Sequence, residues 1–146
     1  VGYVYYNYPG DTVNPDGNYQ EFYVKGSWTT LVVGVVYSDD YYAQTGEFWY
    51  LSGDYSYKFM DDLALGLHAG YNMTEETEYD AAGNVIDGGF LSSDQADYTD
   101  YSVSLTYTVK GVDLSVAYVG TDLDEDDYFG TDLAEPVAVF TIKKVL

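Results

Sequence analysis

The chain has no cysteine, no arginine and no long apolar run. Without cysteine there are no disulfide bonds, no thiolate nucleophile and no cysteine-ligated metal site. No apolar run approaches the roughly 18 residues that a membrane-spanning helix requires. Positive charge is scarce too, since five lysines face 25 acidic residues and leave a formal net charge of −20. A polyanion of this kind repels phosphate backbones, which makes nucleic acid a poor partner.

Hydrophobic and aromatic residues are plentiful in the 146 residues, at 47% and 18%. The hydrophobic share argues against disorder despite the charge, and the length suits a single domain over 1–146. Tyrosine is the unusual component, with 19 residues beside six phenylalanines and two tryptophans. This composition favours β structure, and suitably placed tyrosines suit an interface between apolar and aqueous surroundings.

Alternation of apolar and polar residues with period two recurs along the chain, without convincing helical periodicity. It predicts eight strands, near 1–8, 19–28, 31–38, 47–58, 63–72, 98–109, 112–119 and 137–145. Tight connections at 29–30, 59–62 and 110–111 alternate with long ones at 9–18, 39–46, 73–97 and 120–136. Antiparallel strands therefore place all tight turns at one end, as in an outer-membrane barrel. We expect an all-β, antiparallel up-and-down β-barrel with long acidic loops at the other end.

The two faces of these strands favour lipid over water as the surroundings. One face is aliphatic and aromatic, as at Leu63, Leu65 and Leu67, whereas the other is small and weakly polar, as at Ser102 and Ser104. A soluble barrel with its apolar face inward would show long charged side chains to water, while small polar residues suit the inside of a narrow barrel. We expect the apolar face to look outward at lipid, with a soluble barrel or sandwich as the alternative.

Aromatic residues on the apolar face are sorted to the strand ends. Those near the long-loop end are Tyr37, Trp49, Tyr71, Tyr101 and Tyr118, and those near the tight-turn end are Trp28, Tyr57 and Tyr107. Between them lie the aliphatic residues Leu31, Val33, Val35, Leu65, Leu67, Val103, Leu105, Leu114 and Val116. Two aromatic girdles around an aliphatic band are typical of transmembrane β-strands, because amphipathic rings settle at the headgroup level.

Negative charge is sorted by end as well, because the four long loops hold 18 of the 25 acidic residues. Alternating acids at Asp122, Asp124 and Asp126 are similar to the start of a calcium-binding EF-hand loop. Asp127 stands where that loop needs glycine, and Leu133 occupies its twelfth position, which together exclude an EF-hand. Two hypotheses stay open: low-affinity binding of a divalent cation such as Ca²⁺ by the four aspartates, or a solvated acidic loop. No other cofactor is expected.

His68 is the only histidine, which limits histidine catalysis to one site. The predicted register points it into the barrel beside serine and threonine positions, so that a Ser–His pair stays open. No nucleophile-elbow or zinc-protease motif accompanies it, and a packed, hydrogen-bonded histidine is the favoured interpretation. A buried ion-pair network is expected from the other inward charges, which are Glu21, Lys25, Asp54, Lys58 and Asp113. We expect no enzymatic activity.

Five short segments resemble the Gcw_chp family of uncharacterised proteobacterial proteins, which are regarded as exported outer-membrane barrels. The segments are YNYPG at 6–10, LGLHAGY at 65–71, DYTDY at 97–101, AYVGTDL at 117–123 and VFTIKK at 139–144. Family members are longer, with a signal peptide and further strands ahead of the point where this chain begins. The resemblance implies that this chain is the C-terminal part of a larger barrel of roughly a dozen strands. It supplies no catalytic residues.

Three hypotheses for function follow from these patterns. The favoured one is a non-enzymatic protein of the bacterial outer membrane with a structural role or loop-mediated binding, because an eight-stranded barrel has no lumen wide enough for solute. The second is a porin-like channel, widened by upstream strands, whose acidic mouth favours cations. The third is a secreted surface protein that assembles with further copies by edge pairing. The expected partners are outer-membrane lipid and divalent cations, with further copies of the chain in the third hypothesis.

Overall fold

Ten β-strands make up most of the part of the chain that the structure describes. The computed structural model describes residues 1–10, 16–93 and 95–144. The strands are β1 (Gly2–Tyr6), β2 (Tyr19–Trp28), β3 (Leu31–Ser38), β4 (Phe48–Met60), β5 (Leu63–Met73), β6 (Glu78–Tyr79), β7 (Val85–Asp87), β8 (Asp97–Val109), β9 (Val112–Thr121) and β10 (Val137–Lys144). Three single-turn 3-10 helices lie in the connections, at Tyr42–Gln44, Glu125–Asp127 and Asp132–Ala134. No helix in these described ranges is long and apolar enough to cross a membrane.

Eight of the strands form one antiparallel sheet in the order β1-β2-β3-β4-β5-β8-β9-β10. Every strand pairs with its neighbour along the chain, apart from the small β6–β7 hairpin, which interrupts the sequence between β5 and β8. The eight predicted strands and the up-and-down order are therefore confirmed. The last of them was expected to end at residue 145, which lies outside the described residues, as do residues 11–15 and 94 of the predicted loops.

The sheet is open, so the expected closure into a barrel is not found. β1 forms one edge and β10 the other, and each has one strand partner. β1 has five residues against eight in β10, and it pairs with β2 only over 2–6. A strand of five residues presents few free backbone groups to a closing partner, so closure at this edge gains little from backbone pairing.

The tight turns lie at one end of the sheet and the long connections at the other, as predicted. Trp28 pairs with Leu31 across the first turn, and Val109 pairs with Val112 across the third. Lys110 and Gly111 both have positive φ, 50° and 75°. Positive φ at both central residues defines the type I′ turn, whose twist matches that of the strands it connects.

The main sheet is a single layer with almost no hydrophobic core. Phe48 and Leu91 are the two buried hydrophobic residues in the part of the chain that the structure describes. The chain exposes 9845 Å², whereas a compact monomer of 16.3 kDa exposes roughly 7,500 Å². Backbone pairing and cross-strand contacts therefore hold the sheet together, and the buried positions of the sheet, such as Ser38 and Asn72, lie on one of its two faces.

Candidate functional site

The register of the sheet separates an apolar face from a polar face. Cross-strand partners share a face, so the pairs Tyr55–Leu67 and Leu67–Val103 place these side chains on the same side. We call this side the apolar face; its central members are Leu31, Val33, Val35, Leu51, Leu65, Leu67, Val103, Leu105, Leu114 and Val116. The opposite side is the polar face, and its members across β4, β5 and β8 include Ser52, Asp54, His68, Ser102 and Ser104.

The apolar face is uncovered along its length. Leu105, in the middle of the aliphatic band, is 43% exposed although its strand has partners on both sides. Phe140 and Ile142 on the edge strand β10 are 80% and 78% exposed. A contiguous exposed apolar surface of this kind marks contact with a membrane or with another protein.

Aromatic residues of the apolar face direct their polar atoms toward acids at the loop end. The Tyr37 hydroxyl donates to Glu47 Oε2 at 3.3 Å, and the Trp49 indole N–H donates to Glu47 Oε1 at 3.0 Å. The Tyr71 hydroxyl donates to Asp97 Oδ2 at 2.7 Å. The rings thus lie on apolar surface while their polar atoms bond to carboxylates at the loop end, and amphipathic rings of this kind suit a boundary between apolar and polar surroundings.

The tight-turn end carries aromatic rings in a different setting. Trp28 is 76% exposed at the end of β2, and the rings of Tyr57 and Phe59 make an edge contact with centroids 4.9 Å apart. Tyr107 is exposed on β8 at the same end. The two groups of aromatic residues expected from the sequence therefore both lie on the apolar face.

A cluster of polar side chains lies at mid-height on the polar face, and we call it the His68 cluster: Tyr50, Asp54, His68, Asn72 and Asp100. His68 Nδ1 lies 2.7 Å from Asp54 Oδ1, and Nε2 lies 2.9 Å from Asp100 Oδ1. The Tyr50 hydroxyl lies 2.9 Å from Nε2 and donates to Asp100 Oδ1 at 3.3 Å. Asn72 donates to the other oxygen of Asp100 at 2.8 Å.

The strands bring these residues together from distant parts of the chain. Asp54 stands opposite His68 on the neighbouring strand β4, and Gly70 stands opposite Asp100 on β8. A Cβ atom at Gly70 would overlap Asp100 Oδ2 and the Tyr50 hydroxyl, so glycine at this position makes the room in which the two side chains meet. The ring nitrogens of His68 face carboxylates and a tyrosine, and no serine is among its hydrogen-bond partners in the described ranges.

The prediction that inward lysines and acids form an ion-pair network is wrong, because the carboxylates pair with other groups. In the described part of the chain the ion pairs are those of His68, and no lysine lies within ion-pair distance of a carboxylate. Asp113 accepts from the Thr108 hydroxyl at 2.7 Å, and Glu21 accepts from the Tyr6 hydroxyl at 3.2 Å. Lys58 lies four residues from Asp54 along the same strand, so that their backbones are roughly 13 Å apart, and the two form no ion pair.

The long connections pack against each other above the polar face. Leu91, 1% exposed, lies in the connection between β7 and β8. Its neighbour Ser92 donates its backbone N–H to Asp127 and its hydroxyl to the Asp126 carbonyl, at 3.0 and 3.1 Å. The ring of Tyr41 stacks on Phe48 with centroids 4.2 Å apart. Burial and the charge of Glu21 raise the pKa of the Tyr41 hydroxyl to about 12.

The four aspartates suggested as a cation site do not converge in the structure. Asp122 Oδ1 accepts from the Thr99 backbone N–H at 2.7 Å, and Asp127 Oδ2 accepts from the Asp124 N–H at 2.9 Å. No cluster of three acidic or histidine groups with metal-binding geometry is found in the described ranges. The loop lines an open acidic cleft of about 720 Å³, whose lining includes Asp122, Asp124, Glu125, Asp126 and Glu135. Divalent-cation binding here stays a prediction.

Two features of the site escaped the sequence interpretation. The β6–β7 hairpin lies inside the predicted loop 73–97, and its turn is organised by Asp80, which accepts from the Asn84 side chain and from the Ala82 and Asn84 backbones. These hydrogen bonds, the Asn84 side chain foremost, lower the pKa of the Asp80 carboxyl. Asp100 is the second feature, because it was not among the inward charges. The sequence could have indicated it, because Asp100 lies two residues before Ser102 in β8 and alternation places both on the same face.

Comparison with known proteins yields no relative. The chain matches no protein-family model, no curated protein and no solved structure. The resemblance to the Gcw_chp family therefore stays a prediction.

Proposed function

We propose that this chain forms the wall of an outer-membrane β-barrel of non-enzymatic function, whose strands carry lipid on one face and whose acidic loops meet the external solution. The observation that supports this most strongly is the contrast between the faces. The apolar face is uncovered, whereas the side chains of the polar face bond to one another. Antiparallel sheets in water bury their apolar face on a core. Here lipid takes the place of that core.

The stagger of the strands supports closure of the sheet. One row of paired residues runs from Trp28 through Leu31, Tyr55, Leu67, Val103 and Tyr118 to Ala138. Trp28 is the last residue of β2, whereas Val103 lies six residues before the end of β8 and Ala138 six before the end of β10. From β2 to β10 the row therefore moves away from the tight-turn end by about six residues. Such a stagger means that the strands are tilted, as they must be in a barrel. β1 and β10 also run antiparallel, and we propose that they close the barrel.

A barrel of eight strands has an interior that side chains fill, which makes a structural role or loop-mediated binding the proposed function. The two unpaired edges favour a second candidate, in which additional strands enter between β1 and β10 and widen the barrel into a channel. The acidic loops at the mouth of such a channel would favour cations.

Gel mobility in SDS, compared with and without boiling, tests the membrane assignment on material from the native membrane fraction. A closed outer-membrane barrel resists SDS until it is heated, so we expect the unboiled band to shift on boiling. A soluble monomer without a shift would contradict the proposal. A ladder of unboiled multimers from detergent-free supernatant would instead identify a secreted protein that assembles through its edges.

Paired cysteines test closure cleanly, because the chain has none of its own. We would combine Val4→Cys on β1 with Val139→Cys on β10, both on the polar face, and shift the second position by two residues in either direction. Val139→Cys with Ala117→Cys, which are partners in the sheet, provides the positive control. A disulfide within one chain supports an eight-stranded barrel. Disulfides only between chains support edge pairing of copies, and none at any register supports additional strands.

A further inference from the structure

His68 is held between two carboxylates in a geometry that depends on its protons. Nδ1 faces Asp54 at 2.7 Å while Nε2 faces Asp100 at 2.9 Å. A neutral imidazole carries one N–H, so in either neutral tautomer one of these contacts would set a ring lone pair against a carboxylate oxygen. Tyr50 does not remove this conflict, because its single hydroxyl proton serves either Nε2 or Asp100. The doubly protonated imidazolium satisfies both carboxylates.

We propose that Asp54, His68 and Asp100 form a proton-dependent clasp that ties β4 and β8 to β5 across the polar face. With both ring nitrogens protonated, two carboxylates and one cation leave the clasp with a single negative charge, and each ring N–H makes a charge-assisted hydrogen bond. Loss of one proton removes one of these bonds. It also leaves two carboxylates without a cation between them, and their repulsion then opposes the closed arrangement.

Two lysines, Lys25 and Lys58, share the polar face with the clasp, and neither lies within ion-pair distance of its carboxylates. β4 contributes Asp54 and the Tyr50 hydroxyl to the ring, and β8 contributes Asp100. The remaining polar-face residues of β5 are not titratable, and the lysines form no ion pair in the described part of the chain. The folded chain therefore holds a proton on His68 that the unfolded chain releases near neutral pH. The clasp stabilises the fold in mild acid, and this stabilisation is lost as the pH rises.

Nitrogen NMR of the refolded protein with ¹⁵N-labelled histidine tests the protonation directly, and a single histidine makes the assignment unambiguous. At about pH 7, where a free imidazole is mostly neutral, we expect both ring nitrogens of His68 to carry protons. Asp100→Asn and Asp54→Asn should each shift the transition to the neutral ring toward lower pH. A neutral ring at this pH in the unmodified protein, with the same titration as in a free peptide, would overturn the proposal.

Thermal unfolding followed from about pH 5.5 to 8.5 tests the coupling to stability. We expect the midpoint of the unmodified protein to fall by roughly 2–4 °C across this range and that of His68→Gln to stay level. Asp113→Asn is the matched control, because Asp113 is a polar-face carboxylate bonded to Thr108 and not to His68, and this variant should keep the full slope. An equal slope in His68→Gln would refute the clasp. Neither experiment depends on the proposed location in a membrane, so its failure would leave that proposal intact.

Discussion

A charge placed in the middle of the apolar face should be far more costly than the same charge at its rim. Leu105 lies in the aliphatic band, with Leu65 and Val116 as its cross-strand neighbours. Tyr101 lies on the same face of β8, four residues nearer the loop end, which is roughly 13 Å along the strand. Leu105→Arg and Tyr101→Arg therefore sample the centre and the rim of one surface.

The expected magnitudes separate lipid from water. An arginine at the bilayer midplane destabilises an outer-membrane barrel by roughly 2–4 kcal/mol, and one near the interface by roughly 0–1 kcal/mol. In water, Leu105 is 43% exposed and unattached to a core, so arginine there should change the free energy of unfolding by no more than about 0.5 kcal/mol. Each arginine is compared with alanine at the same position, so that the lost leucine or tyrosine contacts cancel.

Denaturant unfolding from lipid vesicles, followed by fluorescence of the two tryptophans, provides the free energies. We expect the alanine-to-arginine cost to exceed 2 kcal/mol at Leu105, a magnitude set by its depth, and to fall below about 1 kcal/mol at Tyr101. Equal costs at the two positions, or a cost at Leu105 below about 0.5 kcal/mol, would refute the assignment of the apolar face to lipid.

Three further predictions concern the connections at the loop end. Leu91→Ala removes a fully buried side chain at a typical cost of roughly 2–5 kcal/mol, and limited proteolysis should show faster cleavage of the connections while the sheet stays folded. Asp80→Ala should speed cleavage of the β6–β7 turn, and because the pKa of Asp80 is lowered, the intact protein should show the same loosening only as the pH falls below roughly 4. Tyr41→Phe should remove one phenolate step near pH 12 from an ultraviolet titration, in accord with the pKa of about 12 for that hydroxyl.

The main strands were predictable because their signal is local. Period-two alternation and two-residue turns locate β2 and β3 at the residues where the structure has them, and β8 within one residue at its start. The sorting of apolar and polar residues to opposite faces follows from the same alternation. β6 and β7, with two and three residues, are too short for any alternation to show.

Asp54 and His68 were both expected on the inward face, but their direct pairing was not predictable because it depends on an irregularity in the pairing of β4 with β5. Met60 pairs with Leu63 beside the turn, and that register, if continued, would place Tyr55 opposite His68. A bulge between Lys58 and Met60 shifts the register by one residue and places Asp54 there instead. Closure depends in the same way on contacts between the first and last strands, which no local pattern specifies.

The contact of the apolar face with lipid is tested most directly by spin labels placed one at a time at residues 101–107 on β8 in lipid vesicles. If lipid covers this face, collisions with oxygen should alternate: labels at Tyr101, Val103, Leu105 and Tyr107 should collide with oxygen dissolved in the bilayer, and labels at 102, 104 and 106 should not. Since the chain has no native cysteine, every label reports on its own position. The contact with lipid would be contradicted if a water-soluble relaxation reagent reached the labels at Tyr101, Val103, Leu105 and Tyr107 as freely as it reaches labels in the loops.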